Sequence, residues 1–252
     1  MTRARTLSIV IPTLDEERAI GPLLEQLARI APEAERVVVD GGSEDETVAR
    51  ARARGARVVL AERGRGRQLA VGARESSGEI LWFLHADARV HDDAPAAIAR
   101  ALDDARVVAG TFDVVFVGAR PIAARFVTTM YRALRVFGVA YGDAAMFMTR
   151  KAYDDAGGFP SWTLFEDIDL WGRVKKQGRV VELALPVYAS SRRFEGRSFV
   201  ACFTRWCALQ ILRWCGVDPE TLARRYAPIR ERAAALPAHT PAPLAARASI
   251  ER

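Results

Sequence analysis

Cysteine is scarce in this 252-residue chain: Cys202, Cys207 and Cys215 all fall in one short segment. An odd count without paired spacing argues against a disulfide framework, and no histidine stands nearby to complete a zinc site. They read as reduced core residues. Histidine is equally rare, with only His85, His91 and His239, which leaves little for a Ser-His-Asp triad, and no GxSxG elbow is present. The GxxxxGK[ST] loop is missing as well, which removes P-loop phosphoryl transfer. Gly64-Arg65-Gly66 supplies two glycines of a dinucleotide fingerprint without the third, and it does not follow the first strand, so the dehydrogenase reading is weak. No apolar run reaches the roughly 18 residues of a spanning helix. The apolar run near the N-terminus is too short for a signal peptide and no cleavage-like site follows it. A cytoplasmic protein is the default expectation, with contact at the inner membrane face as a variant of it.

What is present is an ordinary globular composition, 50% apolar and 27% charged, enough for one sizeable core with appendages. The formal charge of +6 is unevenly placed. Residues 192–232 hold nine Arg against four acids, a net of +5, and 233–252 add +1, so residues 1–191 are neutral overall. The basic stretch suits phosphate, anionic lipid or nucleic acid, or is simply a solvated Arg-rich helix face.

Along the chain, Leu7 to Ile11 reads as a strand closed by Pro12, and Thr13 with Glu16 is spaced as a capping box for a helix reaching about Ile30. Val37 to Asp40 is a second strand, followed by Gly41-Gly42. Glu44 to Thr47 opens another helix with acids in its first turn. Ala56 to Ala61 is a third strand. A basic glycine loop, Arg63 to Arg67, leads to a helix ending near Ser76, and Ile80 to Leu84 is a fourth, fully apolar strand. Alternation at this spacing implies βαβ units and a parallel sheet. Beyond Asp87 the spacing predicts a helix over 92–105, a long strand over 107–117, a helix over 121–139 and a short strand at 146–148. The apolar face of that second helix is read as Ile122, Phe126, Thr129, Met130, Leu134 and Phe137. A helix over 166–176 follows, then strand candidates at 180–185 and 187–190. Further helices are expected over 198–214 and 219–235, and a disordered tail from 236 to 252. The 198–232 stretch is read as packing on the core, forming a homodimer face or lying on a membrane surface.

Carboxylates at strand and helix ends stand out. In open α/β sheets ligands bind beyond the carboxyl ends of the strands, where Asp40 and Asp87 fall. Asp40 also reads as a turn residue before two glycines. Asp87 also reads as a cap, and Glu166 and Asp167 as ordinary first-turn acids. Together they suggest a site that binds an anionic ligand through a divalent cation, with a second carboxylate free to accept a proton.

The order of motifs is similar to one known family. IVIPTLDEE, VVVDGGSEDET, the Gly78-Glu79 lead into LWFLHADA, and GGFP followed by FEDIDLWGR resemble glycosyltransferase family 2, over about residues 7–195. The resemblance implies the GT-A nucleotide-sugar fold: an α/β domain at 1–195 with a mostly parallel sheet, and amphipathic helices at 196–235. RGRGRQLAVGA, HADA, GDAAMF and RRFE further resemble a small bacterial subgroup associated with arsenosugar or selenium metabolism, which includes selenosugar synthases.

By that resemblance the chain would be an inverting glycosyltransferase that uses a UDP-sugar and Mg2+ or Mn2+. Asp40 would meet the uracil, with Gly41 and Gly42 beside it and Pro12, Asp15 and Glu16 walling the base. Asp87 would bind the metal, while His85, before Ala86, replaces the first carboxylate of the family's Asp-x-Asp. Arg63 and Arg65 would approach the base or diphosphate, and Arg192 and Arg193 would cover the diphosphate. Asp167, preceded by Glu166, matches the family's base. Tyr141, Gly142, Asp143 and Trp162 would line the acceptor side. The acceptor would be small, anionic or hydroxylic, selenophosphate among them, or lipid-linked. Two other classes compete. A sugar-phosphate nucleotidyltransferase would need a glycine-rich, Lys-bearing loop where Thr13 to Glu17 stands. A non-catalytic basic module would bind nucleic acid or membrane through residues 192–232, although no nucleic-acid partner is expected of the enzyme.

Overall fold

The computed structural model describes residues 5–118, 121–136, 141–162, 164–190 and 199–225. Eight strands form one sheet: β1 (Leu7–Thr13), β2 (Glu35–Asp40), β3 (Arg57–Leu60), β4 (Ile80–Phe83), β5 (Arg89–Val90), β6 (Val107–Val117), β7 (Phe147–Thr149) and β8 (Arg179–Ser190). Their order is β3-β2-β1-β4-β7-β6-β8-β5. β3, β2, β1 and β4 are parallel, as the alternation predicts. β7 then runs antiparallel to both β4 and β6.

Nine helices are described: α1 (Ile20–Ile30), α2 (Thr47–Ala53), α3 (Arg65–Glu75), α4 (Ala94–Asp103), α5 (Pro121–Val136), α6 (Arg150–Asp155), α7 (Glu166–Val174), α8 (Phe199–Trp214) and α9 (Pro219–Arg225). Successive side chains of a strand point to opposite faces, and the core divides accordingly. Ile9, Ile11, Trp82 and Leu84 pack with Leu23, Leu24 and Leu27 of α1 and Ile98 of α4. Val10, Val39, Leu81 and Phe83 pack with Leu69 of α3 and Leu170 and Trp171 of α7.

Several expectations shift. β1 continues through Pro12 to Thr13. Leu84 N–H donates to Val10 O and Gly41 N–H to Thr13 O, so by alternation Pro12 faces the side that β4 has already left, where its missing N–H costs no ladder bond. The capping box does not form: the Thr13 hydroxyl donates to Asp40 Oδ1 at 3.2 Å, and α1 begins seven residues later with Ala19 as N-cap. The acids before α2 stand ahead of its first turn, where Asp45 accepts the Thr47 N–H at 2.9 Å. Arg65 opens α3 and is no longer in the basic loop. The two late strand candidates are one strand, β8, with an irregularity opposite Phe112 and Asp113.

The face of α5 is also different. Ala124, Val127 and Thr128 are buried against β6, while Ile122 and Phe126 are exposed. Of the predicted face, Met130 packs against this cluster and Phe137 lies outside the described residues, while Ile122 and Phe126 point outward because small Ala124 and polar Thr128 occupy the inward positions. Thr128 is suited there because its hydroxyl accepts the Phe116 N–H and donates to Ala124 O. α9 is described only to Arg225, so the predicted continuation to residue 235 and the tail lie outside the described residues.

Candidate active site

The cleft begins where β4 ends. Trp82 Nε1–H donates to Ala145 O at 3.2 Å and Phe83 N–H donates to Met146 O at 2.9 Å. Those two bonds pin the 141–146 loop against the strand, directly beside His85. From the other side, Gly66 N–H donates to Trp162 O at 3.1 Å, joining the first turn of α3 to the loop that precedes α7. A Cβ on Gly66 would strike the carbonyl oxygens of Pro160 and Trp162, so only glycine permits this approach. Its consequence is to bring Arg65 onto the first turn of α7.

There the Arg65 guanidinium donates through Nε to Glu166 Oε1 and through Nη2 to Asp167 Oδ2, the latter at 2.7 Å. The Gly142 N–H donates to the same Asp167 oxygen at 2.6 Å, and Ile168 N–H takes Oδ1 at 2.8 Å. Arg65 Nη1 lies 3.4 Å from His85 Nε2. A guanidinium can only donate, so His85 Nε2 stands between a donor, Arg65, and an acceptor, Asp143. Burial lowers the His85 pKa, against the raising influence of Asp143. Asp143 Oδ1 stands 3.5 Å from His85 Nε2, and its Oδ2 accepts the Tyr131 hydroxyl at 3.0 Å. A Cβ on Gly142 would sit 3.2 Å from Asp167 Oδ2, 3.3 Å from His85 Nε2 and 3.5 Å from Arg65 Nη2. Gly142 therefore marks the centre of the group.

Electrostatically the cluster is held together by one cation among acids. Glu166 has no exposed side-chain surface, and its Oε2 has no hydrogen-bond partner among the described residues. Burial pushes its pKa up, opposed by Arg65. Arg65 pays a desolvation cost but is held protonated by Glu166, Asp167 and Asp143. The non-glycine residues with positive φ among the described ones are Asp15, Ala145 and Phe165. Ala145 belongs to the pinned loop and Phe165 is the N-cap of α7. Such backbone persists where surrounding contacts over-determine it, which is common at functional sites.

Of the predicted residues, Pro12, Arg65, His85, Gly142 and Asp167 line one pocket together with Met146. Asp87 is partly buried and near enough to His85 to influence its proton. Asp15 and Glu16 lie apart from that cluster, in a loop tied to the 43–47 turn. Asp15 N–H donates to Ser43 Oγ and Glu16 N–H to Thr47 Oγ1. Asp40 is buried and its carboxylate is taken by the Gly42 and Ser43 N–H groups and the Ser43 and Thr13 hydroxyls. These are the hydrogen bonds of a turn residue. Gly41 is buried against Gln68 and Gly42 is exposed with φ +90°. Ala86 turns into the core beside α1 and α4, away from the pocket. Arg63 is exposed. Trp162 lies under Arg213, whose guanidinium carbon is 5.6 Å from its ring centroid and 5.3 Å from that of Phe165. Tyr141 stacks between Tyr131 and Trp206 and accepts from Gln210 Nε2 at 3.2 Å. Arg192 and Arg193 lie outside the described residues.

Sequence reasoning missed three supports. Tyr131 orients Asp143. Gln68 bridges the carbonyls of Thr13 and Val39, both at 2.8 Å, where β1 and β2 end. Gln210 ties α8 to Tyr141. Gln68 carried a signal, since it lies one helical turn before Gly72 on the buried face of α3.

Comparison with known proteins agrees with this geometry. The profile described as Glycosyl transferase family 2 matches residues 8–157. A glucosyl-3-phosphoglycerate synthase of Mycolicibacterium paratuberculosis is 37% identical over 94 residues, covering 33% of this chain and 29% of that protein; the match thus spans under a third of the relative's length. Among solved structures, a mannosyltransferase from Pyrobaculum calidifontis in complex with GDP-Man and Mn2+ superposes with a TM-score of 0.64 at 23% identity, over 84% of this chain and 63% of that one. Glucosyl-3-phosphoglycerate synthase from Mycobacterium tuberculosis, in complex with Mn2+ and UDP-glucose, gives 0.58 at 21% identity over 85% and 80% of the two chains. These likenesses establish the GT-A architecture, and the profile match over more than half of the sequence establishes the lineage: the chain belongs to glycosyltransferase family 2.

Proposed function

We propose that the chain is an inverting glycosyltransferase that moves a sugar from a UDP-sugar to a small anionic acceptor, with selenophosphate as the specific candidate. The observation that carries the reading is the convergence of Arg65, His85, Asp143, Glu166 and Asp167 around Gly142 at the end of β4. The names of the relatives support it, since glucosyl-3-phosphoglycerate synthases act on a small phosphorylated acid, and related folds are known with UDP and Mn2+ or Mg2+.

The donor set fits a divalent cation of a particular kind. Among the described residues no group of three or more His, Cys, Asp or Glu side chains is placed to hold a metal unaided. An ion carried by substrate phosphates needs only one or two protein ligands, and Asp87 and His85 would be those ligands. When bound, such an ion stabilises charge developing on the departing diphosphate.

The chain's own residues do the rest. In transfer, a lone pair of the acceptor forms the new bond to the anomeric carbon while the bond to the diphosphate oxygen breaks, its electrons leaving on UDP. A hydroxyl acceptor must also lose a proton, for which Asp167, which lines the pocket, is the proposed base. Both oxygens of Asp167 are already engaged, Oδ2 by Arg65 and the Gly142 N–H and Oδ1 by the Ile168 N–H. That arrangement suits an acceptor that arrives already anionic, with Asp167 and Arg65 acting to orient it.

The test is incubation with a panel of UDP-sugars, with and without Mn2+, against selenophosphate, 3-phosphoglycerate and no acceptor, with mass spectrometry of the products. Transfer to an anionic acceptor is expected, abolished by chelation. Asp87→Ala should lower it by about a hundredfold or more, the equivalent of several kcal/mol of lost charge stabilisation. No product from any pair, with no heat on titrating UDP and Mn2+, would leave the basic-module reading in its place.

A further inference from the structure

Large apolar side chains with high exposure are concentrated on two helices. Ile122 is 87% and Phe126 50% exposed on α5, and Ile211 55%, Leu212 36% and Trp214 77% exposed on α8. The two helices are neighbours, because Tyr131 of α5, Tyr141 and Trp206 of α8 stack in sequence at 5.0 and 5.6 Å. Their charge is one-sided. α5 contains Arg125, Arg132 and Arg135, α8 contains Arg205 and Arg213, and neither contains an acid. At the chain's average of 31 acids in 252 residues, thirty-two residues would be expected to hold about four. Contacts within the fold account for part of this: Arg213 lies against Trp162 and Phe165, and the exposed Arg132 pairs with Asp113 at 2.5 Å. Arg125 and Arg205 are exposed on the same faces as the apolar residues. Spacing confirms those faces, since Ile122, Arg125, Phe126 and Thr129 recur at helical intervals, as do Arg205, Ala208, Ile211, Leu212 and Cys215.

We infer that the exposed faces of α5 and α8 form a docking surface for an anionic lipid bilayer, the apolar side chains entering the headgroup boundary and Arg125 and Arg205 meeting lipid phosphates. A polar partner protein would leave Ile122 and Trp214 unmatched, and a second copy of this chain would bring two acid-free helix pairs face to face. A bilayer supplies both an apolar layer and negative charge. Long basic side chains can lay their stems on the apolar boundary while the heads stay wet. None of the described helices is long and apolar enough to cross a membrane, so the contact is peripheral. It is independent of the sugar-transfer reading.

The test is co-sedimentation of the full chain with vesicles of phosphatidylcholine alone and of equal parts phosphatidylcholine and phosphatidylglycerol. Each basic residue near an anionic surface strengthens binding about fivefold, so two should favour the anionic vesicles by more than tenfold, with the advantage shrinking as salt rises. Two variants, Ile122→Ser with Phe126→Ser and Ile211→Ser with Trp214→Ser, should each reduce partitioning at least tenfold while far-UV dichroism and melting stay as in the parent. If one variant fails to fold, the other still decides. Equal sedimentation with both vesicle types, or folded variants that bind like the parent, would overturn the inference. So would a dimer in sedimentation velocity that these variants dissociate, since the face would then be a self-interface.

Discussion

Two carboxylate groups at the edge of the same sheet are both buried, yet they are finished to different degrees. Asp40, at the end of β2, is 1% exposed and its two oxygens receive two backbone N–H groups and two hydroxyls. Every donor belongs to its own turn or to the adjacent strand. Glu166 and Asp167, in the first turn of α7, instead converge on a guanidinium from another helix, and Glu166 keeps one buried oxygen without a partner among the described residues. A buried polar atom left unpaired is costly and calls for an explanation. The contrast separates a carboxylate that completes a turn from a pair that holds a cation in place beside a cleft.

The sharpest way to break the comparison is to neutralise one member of each kind. Asp167→Asn keeps the shape but removes the charge that faces Arg65 and the pocket. Turnover is expected to fall by about 10²-fold, the cost of a misplaced reactant, read as UDP release in steady state. A smaller loss would place Asp167 with Asp40 as a structural acid.

Asp40→Ala should do the reverse. Removing the carboxylate strands the Gly42 and Ser43 N–H groups, a penalty of about 1–3 kcal/mol, seen as a lower urea midpoint at unchanged slope. Activity at a temperature where the variant is folded should change little. A large rise in KM for the UDP-sugar without loss of stability would show that Asp40 meets the nucleotide, as the family resemblance implies.

How far this contrast was legible in the sequence depends on distance along the chain. The strand ending on Asp40, the apolar run of β4 (which stops at Phe83 and leaves Asp87 in the turn beyond it) and the helix opening on Glu166 were visible as apolar runs and first-turn acids, because burial patterns and capping are local. The parallel order of β1 to β4 followed from strand–helix alternation. Arg65 was visible as a basic residue in a glycine loop, but its pairing spans 101 residues to Glu166, and only the packing of Gly66 on the Trp162 carbonyl brings the two together. Nor could periodicity tell which face of α5 was buried. Apolar residues occupied more than one face, and the inward one carried Ala124 and Thr128, chosen for close approach and a hydroxyl bond rather than for hydrophobicity. Asp40 was ambiguous for a simpler reason: a turn acid and a ligand-binding acid have the same sequence signature, an Asp before two glycines.

The smallest effect lies in the pH dependence of stability, and it isolates Glu166. Burial raises its pKa in the folded protein above the unfolded value near 4.5, despite the opposing pull of Arg65. With the folded form holding the proton more tightly, the native state binds more protons than the unfolded chain between the two pKa values. Stability therefore falls as pH rises from the unfolded pKa towards the folded one, by up to about 1.4 kcal/mol per pH unit within that window. Glu166→Gln has no proton to lose there. It should keep a hydrogen-bond acceptor for Arg65 and flatten that part of the curve, so urea midpoints of parent and variant measured from acid to neutral pH should converge at the acid end of the window and separate above it, the variant gaining. Parallel curves would mean that Arg65 compensates the buried carboxylate fully, and the unpartnered oxygen would then carry no energetic signature of a site held open for a ligand.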